Sequence, residues 1–80
     1  MAKEKCIERA VKSTMPGIII KIKVKVGEKV KEGDIIAILE SMKMENNIHS
    51  PLSGEVKRIY VNEDDTVSPD DILMVISHEA

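Results

Sequence analysis

The sequence is poor in aromatic residues: one Tyr, no Trp and no Phe in 80 residues. Any core must therefore be built from Ile, Val, Leu and Met. The lone Tyr60 also leaves no series of stacking platforms of the kind a single-stranded nucleic-acid groove uses. There is one cysteine. Cys6 can make neither an internal disulfide nor a zinc site alone, and it reads as a reduced thiol in a cytoplasmic protein. No apolar run approaches the roughly 20 residues of a membrane helix, and the charged opening MAKEKCIERAVK has no apolar signal core. Membrane insertion is not expected. No Gly-rich phosphate loop, Ser/His/Asp set or Cys/His pair is present.

What remains is an ordinary soluble composition, 42% hydrophobic and 32% charged with a net charge of −2. A chain this short buries only about 60–65% of its unfolded surface on folding. That leaves one compact domain with little room for a substrate pocket, so a chain that is itself an enzyme is not expected.

The sequence repeats itself. A shift of 37 positions carries Gly17 onto Gly54, Ile19 onto Val56, Ile22 onto Ile59, Val24 onto Val61 and Val30 onto Val67 without a gap. The same shift carries Asp34 onto Asp71, Ile36 onto Leu73, Leu39 onto Ile76, Ser13 onto Ser50 and Val11 onto Ile48. Apolar positions coincide while polar ones drift, as two copies of one packing unit require. Residues 18–26 alternate Ile or Val with Lys from position 20, a strand with one wet face; residues 55–61 are the patchier counterpart. Gly27-Glu28 and Gly33-Asp34 mark turns, matched by Asp64-Asp65 and Asp70-Asp71, where Asp can replace Gly at positive φ at some cost. The pattern predicts about four strands per half, seven or eight in all, in an all-β barrel or sandwich with pseudo-twofold symmetry. The repeat favours a first strand over residues 10–15, which leaves residues 1–9 as a flexible N-terminal arm before a domain over 10–80.

Between the copies lies Glu40-Ser41-Met42-Lys43-Met44-Glu45-Asn46. The first copy's last strand ends near Leu39 and the second copy's first begins near Asn47, so this segment holds the joining hairpin. Lys43 falls at its tip, and the shifted counterpart is residue 80. A tip lysine offers a flexible stem and an accessible amine. Two Met beside it are unusual for a loop, and their adaptable side chains suit permissive contacts with several partners. Other candidates are weaker. His49 and His78 have no metal-ligand spacing, and the acidic run Glu63-Asp64-Asp65 falls in a turn. The series Lys21, Lys23, Lys25, Lys29, Lys31 reads as a solvated face rather than a nucleic-acid footprint in a chain of net charge −2.

The segment from Glu40 to Glu45 resembles the biotin-attachment motif of biotin carboxyl carrier domains, commonly Glu-Ala-Met-Lys-Met-Glu, with Ser41 in the Ala place. Met15-Pro16-Gly17, Gly27-Glu28-Lys29-Val30, Glu32-Gly33-Asp34, Ser50-Pro51 and Ser53-Gly54 agree with the same family. The similarity runs from about Val11 to Ile76. It implies a flattened β-barrel of two four-stranded antiparallel sheets with covalent biotin on Lys43, Met42 and Met44 as recognition flanks and Glu40 as a contact for the biotin protein ligase. It further implies a carrier subunit that moves CO2 between a biotin carboxylase and a carboxyltransferase of the acyl-CoA or pyruvate type, fatty acid biosynthesis included, or that takes CO2 in a decarboxylase. Asp70 departs from the family, many of whose members have a second Gly there. The ungapped repeat leaves no space for the protruding "thumb" some members carry, so the resemblance is to a free-standing, thumbless type. The alternatives are a lipoyl carrier domain, which typically shows Asp-Lys-Ala or Asp-Lys-Val, and an unmodified barrel-sandwich binding module.

Overall fold

A computed structural model of the chain describes residues 6–79. Eight strands run in chain order: β1 (Cys6–Lys12), β2 (Gly17–Ile22), β3 (Lys29–Val30), β4 (Ile35–Ser41), β5 (Met44–His49), β6 (Gly54–Ile59), β7 (Thr66–Val67) and β8 (Ile72–Glu79). They form two four-stranded antiparallel sheets, ordered β1-β8-β6-β3 and β5-β4-β2-β7. The 37-residue shift carries β2 onto β6 and β3 onto β7 residue for residue, and β1 and β4 onto β5 and β8. It therefore exchanges the two sheets. Each sheet takes two strands from each half of the sequence, so neither half has a sheet of its own.

The symmetry extends to single hydrogen bonds. Ser13 and Ser50 are both buried, and each hydroxyl donates to the carbonyl two residues on, Met15 at 2.5 Å and Leu52 at 2.6 Å. The Ser13 backbone exchanges bonds with Asp70 and Asp71, as that of Ser50 does with Gly33 and Asp34. Four turns share one design, 25–28, 31–34, 62–65 and 68–71. In each the first N–H donates to the carboxylate of the fourth residue, and the fourth N–H donates back to the first carbonyl. Their third residues are Gly27, Gly33, Asp64 and Asp70, with φ of 93°, 94°, 76° and 73°. This is the type II pattern, with Pro69 at the favoured second position of the last turn. The expected Gly-to-Asp exchange at positive φ is thus what the chain does.

The core follows the same rule. One cluster joins Val11, Val24, Val30, Ile36, Val56, Met74 and Ile76, and the other joins Ile19, Leu39, Val67 and Leu73. Each fully buried aliphatic side chain contributes about 1.5–3 kcal/mol, so Ile, Val, Leu and Met suffice without aromatics.

Three sequence expectations need correction. The first strand is Cys6–Lys12, not 10–15. It stops where the Ser13 hydroxyl turns the chain, and residues 6–9, expected in an arm, pair with β8 from Cys6↔Glu79 onward. Residues 1–5, like residue 80, lie outside the described residues. The strand expected over 18–26 ends at Ile22, because the chain then crosses from one sheet to the other, where Gly27 donates to the Val56 carbonyl. A register shift between Ile19 and Lys21 also breaks the alternation, which leaves Ile20 and Val26 exposed while Val24 is buried. Finally, the join between the halves is far tighter than residues 40–46: β4 runs through Ser41 and β5 begins at Met44.

Candidate attachment site

Two residues, Met42 and Lys43, connect β4 to β5. Ser41 pairs with Met44 and Glu40 with Glu45 beneath them. A two-residue hairpin between right-twisted strands favours a type I′ turn, which requires positive φ at both central positions. Met42 and Lys43 comply, with φ of 54° and 65°. Asn-Gly or Asp-Gly would be the ordinary choice. An L-residue held in this left-handed conformation costs about 1–2 kcal/mol. Neither residue gains burial in return: Met42 is 92% exposed, Met44 is 67% exposed, and Lys43 is exposed between them.

The base of the hairpin carries a second unfavourable feature. Glu40, half-buried in β4, lies directly across from Glu45 in β5, and like charges so placed repel. Asn46 steadies the start of β5 by donating from Nδ2 to the Met44 carbonyl at 3.2 Å. On the other side of β4, Gly17 lets β2 approach closely, since a Cβ there would collide with the Glu40 carbonyl oxygen. The result is a shallow groove beside the tip, lined by Pro16, Gly17, Ile18, Met42 and Lys43 over Glu40 and Ser41.

The four site residues named from the sequence thus come together: Lys43 at the tip, Met42 and Met44 beside it, and Glu40 at its base. Ile18 was missed. Its signal is an apolar residue where the repeat has Glu55. The remaining candidates lie elsewhere. Neither histidine is near the tip; His49 lies at the far end of β5, paired with Ile35, and His49 and His78 make ring-nitrogen contacts with the Gly33 and Ser53 carbonyls, at 2.9 and 2.7 Å. Glu63 accepts a hydrogen bond from the Ile22 N–H at 3.1 Å and so serves the end of β2. Lys21 and Lys29 belong to different sheets, so the lysine series forms no single groove.

Among the described residues the recorded ion pair is Lys57–Glu55, at 3.8 Å, and no carboxylate holds the Lys43 amine. The site offers one chemistry, a primary amine on a narrow protrusion that another protein's active site can enclose. That fits a group attached through its carboxyl as an amide.

Comparison with known proteins bears directly on this geometry. The family model described as "Biotin-requiring enzyme" matches residues 9–76. The 2-oxoglutarate carboxylase large subunit of Hydrogenobacter thermophilus is 48% identical over 82 residues, covering 96% of this chain and 13% of that protein. Human mitochondrial pyruvate carboxylase is 38% identical over 72 residues, covering 90% of this chain and 6% of the enzyme. The crystal structure of Kluyveromyces lactis urea carboxylase superposes with a TM-score of 0.82 at 31% identity, covering 88% of this chain and 6% of that one. Each relative holds the matching region within a far longer chain, so a free-standing arrangement is not something they lend to this one.

Proposed function

The chain belongs to the family of biotinyl domains of biotin-requiring enzymes, and from that premise we propose that Lys43 is the residue on which biotin is carried. The observation that carries this reading is the turn itself. Lys43 occupies, at conformational cost, a position that Asn or Gly would fill more cheaply, exposed and without an ion-pair partner among the described residues.

Biotin, when bound, supplies a ring nitrogen that accepts and releases CO2. The chain's own part is attachment and presentation. The ligase would use ATP to turn the biotin carboxyl into an acyl-adenylate, releasing pyrophosphate. The Lys43 amine then attacks that carbonyl carbon, the C–N bond forms as the C–O bond to AMP breaks, and the amine gives up a proton. The amide that results has lost the lysine charge. The β4–β5 hairpin presents the attached group at one pole of the barrel and near its successive sites, where tethering keeps its effective concentration high. Met42 and Met44 give each enzyme an apolar grip on the tip. Glu40, fixed in β4 by its pairing with Ile18 and Glu45, is the contact for the biotin protein ligase.

The partners that follow are that ligase, a biotin carboxylase, and a carboxyltransferase or decarboxylase, within a reducing, cytoplasmic setting. A keto-acid acceptor fits the 2-oxoglutarate and pyruvate carboxylase relatives, and an acyl-CoA acceptor fits the human propionyl-CoA carboxylase alpha chain, 38% identical over 79% of this chain. A lipoyl carrier is not favoured, since those relatives are carboxylases.

The test is intact mass before and after incubation with ATP, biotin and a biotin protein ligase, with a lipoate ligase reaction in parallel. The expected result is one biotinyl amide, mapped to Lys43 by fragmentation and absent from folded Lys43→Arg protein. Biotin retained by Lys43→Arg moves the site elsewhere, and a lipoyl gain alone moves the protein to acyl-transfer chemistry.

A further inference from the structure

The internal repeat supplies a control for every surface of this domain. The groove beside Lys43 has a twin at the opposite pole. Pro16, Gly17, Ile18, Glu40 and Ser41 correspond to Ser53, Gly54, Glu55, Ser77 and His78, and these five line a groove of their own. The backbone requirement is the same in both places: a Cβ on Gly17 would collide with the Glu40 carbonyl, and one on Gly54 with the Ser77 carbonyl. The side chains differ in kind. The far groove is set with polar and charged side chains, Ser53, Glu55 and His78 joined by Lys29, Lys31 and Lys57 around the buried Val30. The groove at the Lys43 pole is apolar along Pro16, Ile18 and Met42, although Pro16 is exposed and Ile18 is 43% exposed.

The fold therefore does not require apolar residues at 16 and 18, since its other half manages with Ser and Glu. Their exposure gives nothing to the core. Lys43 itself lines this groove. While it is an ammonium, it has no reason to lie on apolar surface beyond its methylene stem. Once acylated, it becomes a long neutral arm continuous with that surface. A tethered arm sees its groove at an effective concentration of roughly millimolar, so weak apolar contact is enough to populate a resting position.

We propose that the Pro16–Ile18 groove is a resting site for the aliphatic part of the acylated Lys43 arm, held between Ile18 and Met42 when no partner enzyme is engaged. The inference rests on Lys43 being the attachment residue. It makes the carrier's free state partly ordered rather than a freely swinging arm, and each partner must then draw the arm off the groove to use it.

The experiment is solution NMR of 15N,13C-labelled chain before and after enzymatic biotinylation, with intact mass and fragmentation first establishing one biotinyl group on Lys43. Biotinylation should shift the Gly17 and Ile18 amides and give nuclear Overhauser contacts between the arm's methylenes and the Ile18 methyls. The twin amides, Gly54 and Glu55, should stay still. The variant Pro16→Ser/Ile18→Thr, which brings in the polarity of the far groove, should lose those contacts and be captured faster by streptavidin. Its fold is checked by unmoved Gly54 and Glu55 amides. Should the variant fail to fold, the wild-type contacts decide alone. A protein biotinylated on Lys43 whose shifts are confined to residues 42–44, with no contact to Ile18, overturns the resting site and leaves the attachment reading intact. A folded protein that takes no biotin on Lys43 overturns both, and the mass reveals that before any spectrum is recorded.

Discussion

If Met42 and Lys43 are kept in the hairpin for chemistry rather than for folding, then removing them should make the protein more stable. The double variant Met42→Asn/Lys43→Gly installs the dipeptide that a type I′ turn prefers. Both replaced residues have positive φ, 54° and 65°, and each carries a penalty of about 1–2 kcal/mol. Asn relieves part of its share, and Gly relieves its own but gives back about 0.5–1 kcal/mol in chain entropy. Neither change removes buried surface, because both side chains are exposed. The net expectation is a gain of about 1–2 kcal/mol, or a rise in Tm of roughly 4–16 °C for a domain of this size. With one Tyr and no Trp, unfolding is best followed by far-UV circular dichroism or calorimetry rather than fluorescence. Lys43→Arg is the control and should leave stability unchanged, while both variants lose biotinylation. A double variant no more stable than the parent would refute the reasoning, since the turn would then carry no cost for function to explain.

Ser13→Ala and Ser50→Ala should each lose about 1–3 kcal/mol, because each strips a buried hydroxyl from a carbonyl two residues on, and urea denaturation should find the two losses alike. A large inequality would show that the repeat is not energetic. Asp64→Gly and Asp70→Gly should each raise stability by about 0.5–1 kcal/mol through relief of positive φ, whereas Gly27→Asp and Gly33→Asp should lower it, all read from thermal midpoints. Gly17→Ala and Gly54→Ala should both cost about 1–3 kcal/mol or more, since the added Cβ meets a neighbouring strand's carbonyl oxygen rather than a yielding side chain.

Much of this protein was legible in the sequence because it is written twice. The ungapped match of 11–39 onto 48–76 told apolar positions from drifting polar ones, and with them about four strands per half, the paired turns and the tip position of Lys43. Where the reading failed, the cause was non-local. The alternation over 18–26 promised a longer strand. The register shift after Ile19 and the crossing between sheets are set by what β4 and β6 offer as partners, and no local pattern carries that information. Likewise, β1 begins at Cys6 because β8 is there to pair with it.

The sequence by itself determined the composition of the core, the residues able to adopt positive φ, and the one lysine flanked by two methionines at the join. These are local properties of side chains and of single φ angles. The tertiary structure alone decided that the two halves interleave into shared sheets, that the join narrows to two left-handed residues, and that Pro16 and Ile18 lie beside Lys43 rather than on a remote strand. The interleaving of the halves and the place of Pro16 and Ile18 depend on pairing between residues far apart in the chain, Ile18 with Glu40 and Gly17 with Val67, and the two-residue turn depends on β4 and β5 pairing as far as Ser41 and Met44. Such pairing is fixed by the hydrogen bonds and packing of the whole barrel, and by no stretch of sequence alone.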